Sequence, residues 1–278
     1  MDLKSFIHAA LHEDIGGGDH TSLSCIPENA TGEAVLLVKD NGILAGMELA
    51  RTIFHQLDPS LIFEPFLKDG DTITKGQKAF TVKGSERSIL TGERLVLNCM
   101  QRMSGIATTT RTYVDRLQGL HTRVLDTRKT TPLMRDLEKW AVRIGGGFNH
   151  RMGLYDMILV KDNHVDYAGG IAAVIRRVNE YRKNRKLDIP FEIETRNLEE
   201  VSQVLAEGGV DRIMLDNFPV PMMKEAVSMI NGKYETEASG GINLETVRPI
   251  AETGVDFVSV GALTHSVRSL DLSLKAVR

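Results

Sequence analysis

The sequence predicts an α/β fold: a small mixed domain followed by a parallel sheet rolled into a barrel. Three observations carry this. The apolar rhythm changes beyond Leu120 from mixed to strand–helix alternation. The last four strand candidates recur about every 22 residues, the length of one strand, one helix and two short loops. No glycine fingerprint follows a first strand, which favours a barrel over an open nucleotide-binding sheet.

Taken in order, Leu3–His12 is an amphipathic helix, and strand-like runs cover 33–39 and 61–67, with turns at Asn41-Gly42 and Asp69-Gly70. From Glu86 to Leu120 the spacing is helical, with a break expected around Ser104-Gly105. The domain boundary is placed there, giving 1–105 and 106–278, with the C-terminal end packing back on the first domain. Strands are then expected at 123–126, 157–160, 191–194, 212–216, 235–239 and 257–261. Six strands make the barrel incomplete or leave one strand hidden.

Composition narrows the class. With 278 residues and 42% hydrophobic content the chain can bury an ordinary enzyme core. A net charge of −3 gives no general attraction to nucleic acid or anionic lipid. Cys25 and Cys99 form no paired motif, which excludes a disulfide scaffold and a thiolate zinc site and fits a reduced, cytoplasmic setting. The N-terminal helix carries acidic residues rather than a basic start and an apolar run, so neither a leader nor a membrane span is expected.

The chemistry gathers where the barrel strands end: Asp126 with Thr127, Arg128 and Lys129; Lys161 to His164; Glu194; Asp216; Ser239-Gly240-Gly241; and Gly261. In a parallel barrel these ends share one mouth, where such barrels build active sites. Arg128, Lys129, Arg151 and Lys161, with His150, form a cationic group suited to a substrate bearing several carboxylates or phosphates. The plainer reading is a solvated surface paired to Asp126 and Asp162. Glu194 and Asp216 offer hard oxygens for Mg²⁺ or acceptors for sugar hydroxyls; a rim salt bridge is the alternative. Ser239-Gly240-Gly241, ahead of Asn243 as a helix cap and a helix running to about Thr253, reads as a phosphate loop or as a tight turn. Gly261 and His265 would face it. His8 and His12 read as an exposed helix face, the glycine triplets from Gly16 and Gly145 as turns, and Cys99, Met100 and Met103 as core.

EDIGGGDHTS, GERLVLNCMQRMSGIATTT, LDTRKTTP, GGGFNHR, ILVKDNH, LDNF, SGGIN and VGALTHS, in this order and spacing, resemble the quinolinate phosphoribosyltransferase family. The resemblance spans nearly the whole chain. It implies an N-terminal α/β sandwich domain on an incomplete TIM-like α/β barrel, assembled as a homodimer or larger homo-oligomer. It implies transfer of phosphoribose from phosphoribosyl pyrophosphate to quinolinate, with decarboxylation, in NAD biosynthesis. Arg128, Arg151 and Lys161 would hold the quinolinate carboxylates, with Thr127 and His150 beside them, and Arg94 would reach in from the partner subunit. Lys129, Glu194 and Asp216 would engage phosphoribosyl pyrophosphate and its Mg²⁺. Ser239, Gly240, Gly261 and His265 would hold its 5-phosphate. Whether Glu192 or Glu194 faces the site is left open by the alignment. Transfer to another acid, a Schiff-base lyase built on Lys161, and a non-catalytic anion sensor are the competing readings.

Overall fold

The computed structural model describes residues 2–277. In chain order the first elements are α1 (Leu3–Ile15), α2 (His20–Cys25), β1 (Thr31–Val38), β2 (Gly42–Ile43), α3 (Met47–Leu57), β3 (Ile62–Pro65), β4 (Thr72–Ile73), β5 (Lys78–Ser85) and α4 (Glu86–Arg116). There follow β6 (Arg123–Leu125), α5 (Arg135–Ile144), β7 (Ile158–Val160), α6 (Asp162–Ala168), α7 (Ile171–Arg185), β8 (Phe191–Thr195), α8 (Leu198–Glu207) and β9 (Arg212–Asp216). The last are α9 (Val220–Ile230), β10 (Glu235–Ser239), α10 (Val247–Ala251), β11 (Phe257–Ser259), α11 (Ala262–His265) and β12 (Leu272–Ala276).

Two compact units divide the described residues. The first takes those up to Arg111, Thr130–Gly146 and those from Leu263 onward; the second takes Thr112–Lys129 and Gly147–Ala262. In the first, an antiparallel sheet runs β12-β1-β5-β3, and β2 pairs with β4. Phe54 of α3 meets Phe80 of β5 edge-on, and Phe63 of β3 lies 4.4 Å from Phe80, so the helix covers the sheet through an aromatic cluster. Such rings dominate a small core because each buries a large apolar area.

The helix α4 runs without the break expected at Ser104-Gly105, and the cut expected at 105/106 falls inside it. Gly105 is there for space: a Cβ would lie 2.3 Å from the carbonyl oxygen of Arg268. Ser104 is buried and bonded, its Oγ accepting from Ala45 N and donating to Ala45 O. Close approach, rather than a turn, explains both small residues. Gly42 is similar, since its Cβ would meet Leu270 and Thr108, and it opens β2 instead of a turn.

The second unit holds a parallel six-stranded sheet in the order β6-β11-β10-β9-β8-β7. Its expected strands form within a residue or two of their predicted places. The ladder does not close. Phe148 makes an isolated parallel bridge to Leu125 beside β6, and the chain from Asn149 to Met157 then leads to β7, the strand at the other edge of the sheet. This is an incomplete barrel. Phe191, Ile193, Ile213, Leu215, Ala238 and Val258 lie on one side of the strands and are buried, each of them but Ala238 contributing about 1.5–3 kcal/mol. The alternation leaves Glu192, Glu194, Arg212, Asp216, Glu237 and Ser239 on the other side. The helix after β10 is shorter than expected: the Asn243 side chain accepts from Glu245 N and Thr246 N, but the helix itself covers only Val247–Ala251. No helix among the described residues is long and apolar enough to cross a membrane.

Candidate active site

Strand ends in the second unit carry charges that face like charges. Glu194, next to last in β8, is buried, and its carboxyl is pushed above the usual range first by burial and then by Asp216 at the end of β9. Lys161, which caps α6 after β7, brings its Nζ to 3.6 Å from Glu194 Oε2. Asp216 Oδ2 accepts from the Asn217 side chain at 2.7 Å, and Asn217 N donates to Ser239 O at 2.8 Å, tying the ends of β9 and β10 together. Gly240 completes this corner. Its φ is +94°, and a Cβ would lie 2.1 Å from Asn217 Oδ1, so only glycine fits.

The cationic side is built on β6 and the segment that follows Phe148. Asp126, fully buried, accepts from the Asn149 side chain at 2.5 Å and from His150 N at 2.9 Å. This fixes the start of the His150-Arg151 pair. Arg151 is 9% exposed, and its Nη1 donates to Met157 O at 3.2 Å. Burial holds its guanidinium below the usual arginine range, and the nearby Arg128 adds to that. Arg128 and Lys129 are exposed and Thr127 is half-buried, with its Oγ1 accepting from Lys129 N at 3.1 Å. A buried guanidinium beside a second one concentrates positive potential on this side of the unit.

Two residues below Glu194 lies a different layer. Glu192 and Glu237 are wholly buried, and burial pushes their carboxyls up, to about 7 and about 8. Arg212 Nη1 lies 3.0 Å from Glu237 Oε2 and 4.0 Å from Glu192 Oε2, its Nη2 lies 2.9 Å from Glu235, and its guanidinium stacks 4.1 Å over the Phe257 ring. His150 Nε2 lies 3.0 Å from Glu192 Oε2. The geometry therefore separates the two β8 acids: Glu194 is at the strand end with Asp216 and Lys161, and Glu192 sits beneath.

Sequence profiles described as the N-terminal and C-terminal domains of quinolinate phosphoribosyl transferase match residues 19–104 and 106–275. The chain belongs to the quinolinate phosphoribosyltransferase family. The Arabidopsis thaliana chloroplastic nicotinate-nucleotide pyrophosphorylase [carboxylating] is 50% identical, over 99% of this chain and 82% of that one. A Nicotiana tabacum mitochondrial quinolinate phosphoribosyltransferase [decarboxylating] is 48% identical over the same shares. Among solved structures, NadC from Streptococcus pyogenes superposes with a TM-score of 0.93 at 37% identity, covering 99% of this chain and 97% of that one.

Of the residues expected to serve a member of this family, Thr127, Arg128, Lys129, His150, Arg151, Lys161, Glu194, Asp216, Ser239, Gly240 and Gly261 all belong to the second unit. Arg94, on α4, and His265, ending α11, belong to the first and are exposed. The Lys161 amine, with a side chain 54% exposed and a carboxylate beside it, has none of the desolvation that activates a Schiff-base lysine. Sequence reasoning overlooked Asn149, Arg212 and Glu237. The signal was present: in FEIET and ETEAS the charged residues fall two apart, and in RIMLD four apart, on one side of each strand.

Proposed function

We propose that this chain transfers phosphoribose from phosphoribosyl pyrophosphate to quinolinate and releases carbon dioxide, giving nicotinate mononucleotide and pyrophosphate, as the names of its relatives indicate. The observation that carries the reading is the pairing of buried Arg151 with Arg128, which suits a compact diacid. Arg128, Arg151 and Lys161 bind the two carboxylates, with Thr127 and His150 beside them. Lys129 offsets charge on the departing pyrophosphate. Ser239, Gly240, Gly261 and His265 hold the 5-phosphate, a role that suits a corner with no room for a side chain at Gly240.

Glu194 and Asp216 are all-oxygen donors whose mutual repulsion a cation would relieve, and so they fit Mg²⁺. Bound there, the ion would supply neutralisation of the pyrophosphate oxygens. The pyridine nitrogen attacks the anomeric carbon as the bond to pyrophosphate breaks. The alkylated ring is then cationic, so the electron pair left at C2 by departing carbon dioxide is stabilised next to the positive nitrogen before C2 takes a proton. The residues around the diacid must orient it without holding the leaving carboxylate too firmly.

The same reading includes a two-fold homodimer, or a larger assembly built from it, in which Arg94 completes the partner's site, and a reduced cytoplasmic setting consistent with free Cys25 and Cys99. Incubation with quinolinate, phosphoribosyl pyrophosphate and Mg²⁺, following carbon dioxide and pyrophosphate together, tests the activity. Equal release of both is expected, with none in excess chelator and none when nicotinate replaces quinolinate. Release of pyrophosphate alone, or equal use of nicotinate, would reject it. Arg94 is tested by mixing inactive Arg94→Ala and Lys129→Ala subunits: random pairing restores about a quarter of full activity only if the site is shared.

A further inference from the structure

His150 is 8% exposed, and both nitrogens of its ring are engaged within the chain. The Arg151 amide donates to Nδ1 at 2.7 Å, so that nitrogen presents its lone pair. The proton must then sit on Nε2, which faces Glu192 Oε2 at 3.0 Å and Glu237 Oε2 at 3.5 Å. The donor atoms of these three residues lie within 4.8 Å of one another, a spacing that fits a metal ion. The tautomer argues against one. The nitrogen aimed at the acids carries a hydrogen rather than a lone pair, and Arg212, 3.0 Å from Glu237, already supplies the positive charge.

We propose that Glu192 and Glu237, held by Arg212, are positioning residues for the diacid pocket: they lock His150 as its Nε2–H tautomer, and the ring in turn pins the Arg151 amide and aims its guanidinium. The inference rests on the reading of Arg151 as a quinolinate ligand. The chain of contacts is continuous, from Arg212 to Glu237 and Glu192, to Nε2, through the ring to Nδ1, and on to the backbone of Arg151. It is anchored from the other side by Asp126, which accepts from His150 N. Outer partners of this kind set ring tautomer and orientation wherever an imidazole serves a site. One consequence is that His150 has no free ring N–H with which to protonate C2. Its part is geometry.

The first test needs no substrate. In protein labelled with ¹⁵N-histidine, the ring signals lost in His150→Gln identify His150, and their one-bond and two-bond couplings give the tautomer. The Nε2–H form is expected at neutral pH, and an Nδ1–H ring, an imidazolium or a shift on adding Zn²⁺ would overturn the proposal. The second test is kinetic. Glu192→Met removes the acceptor and should raise the KM for quinolinate about tenfold or more, with the KM for phosphoribosyl pyrophosphate changed less than about twofold. Glu192→Gln keeps an acceptor and should recover most of that loss. Equal rises for both substrates, or no difference between Met and Gln, would mean a merely structural role. In an Arg151→Ala background, Glu192→Met should add nothing further to the quinolinate KM. If Arg151→Ala itself leaves that KM unchanged, the assignment of Arg151 fails; if it raises the KM while Glu192→Met alone does not, only the brace fails. Should Glu192→Met not fold, the wild-type tautomer and Glu192→Gln decide.

Discussion

The upper and lower layers of one sheet face use the same residue types to opposite ends. At the strand ends, acid faces acid in Glu194 and Asp216, and across the mouth Arg128 crowds Arg151. Two residues down, Glu192 and Glu237 each turn one oxygen to Arg212 and His150. The difference teaches where to look for chemistry in a barrel. Burying charge is costly in either layer, but the upper one sets like charges beside one another at the strand ends, and the lower one sets its acids against a cation and a ring N–H.

The contrast breaks most visibly if the lower layer is opened. Arg212→Ala leaves two buried carboxyls without their cation, and a loss of about 3–5 kcal/mol of unfolding free energy is expected in denaturant titration. Lys161→Ala, which removes the exposed end of a loose 3.6 Å ion pair, should cost less, about 1 kcal/mol. Similar losses for the two would erase the distinction between layers. In the upper layer the effect should move from stability to turnover. Glu194→Ala and Asp216→Ala are expected to lower kcat/KM for phosphoribosyl pyrophosphate about a hundredfold, equivalent to about 2.7 kcal/mol. Their unfolding free energies should stay within about 0.5 kcal/mol of the parent, because each removes one of two repelling charges.

The last expected effect concerns pH. Glu237, pushed up to about 8 by burial and then by Glu192, keeps its proton in the folded protein where the unfolded chain has lost it. Below the ordinary value of 4.5 both states are protonated and nothing is lost. As pH rises from there to about 8, the unfolded state ionises first and folded stability declines. Thermal melts should therefore fall by on the order of a few degrees between pH 5 and 8.5, and Glu237→Gln should flatten the slope. A parent Tm that climbs over this range would contradict a buried, proton-holding pair.

The upper layer was legible in the sequence because strand ends carry local signs: a polar residue after an apolar run, a glycine pair, a cap. Lys161, Glu194, Asp216 and Gly240 carry such signs. The lower layer was not, because Arg212 opens its strand and Glu237 sits inside one, where a charged residue looks like a solvent-facing position until the sheet is rolled and that side becomes interior. The β-strands of the second unit were readable from period and spacing. The continuity of α4 was not, since Ser104 and Gly105 signal a break locally while serving close packing against Ala45 and Arg268. Nor could spacing show that β1 pairs with β12, a contact between segments with the whole parallel sheet between them.

That last pairing has a consequence during synthesis. β1 lies inside its sheet, with β5 on one edge and β12 on the other, in register from Val38 opposite Leu272 to Ala34 opposite Ala276. As the chain leaves the ribosome, β5 arrives soon after β1, but β12 arrives only when every strand of the other sheet has already emerged. For all that time the apolar run Ala34–Val38 presents an open edge, the feature that draws stray strands and nascent neighbours. The closing strand is thus a late clasp, and until it arrives the β1 edge stays open to other pairings.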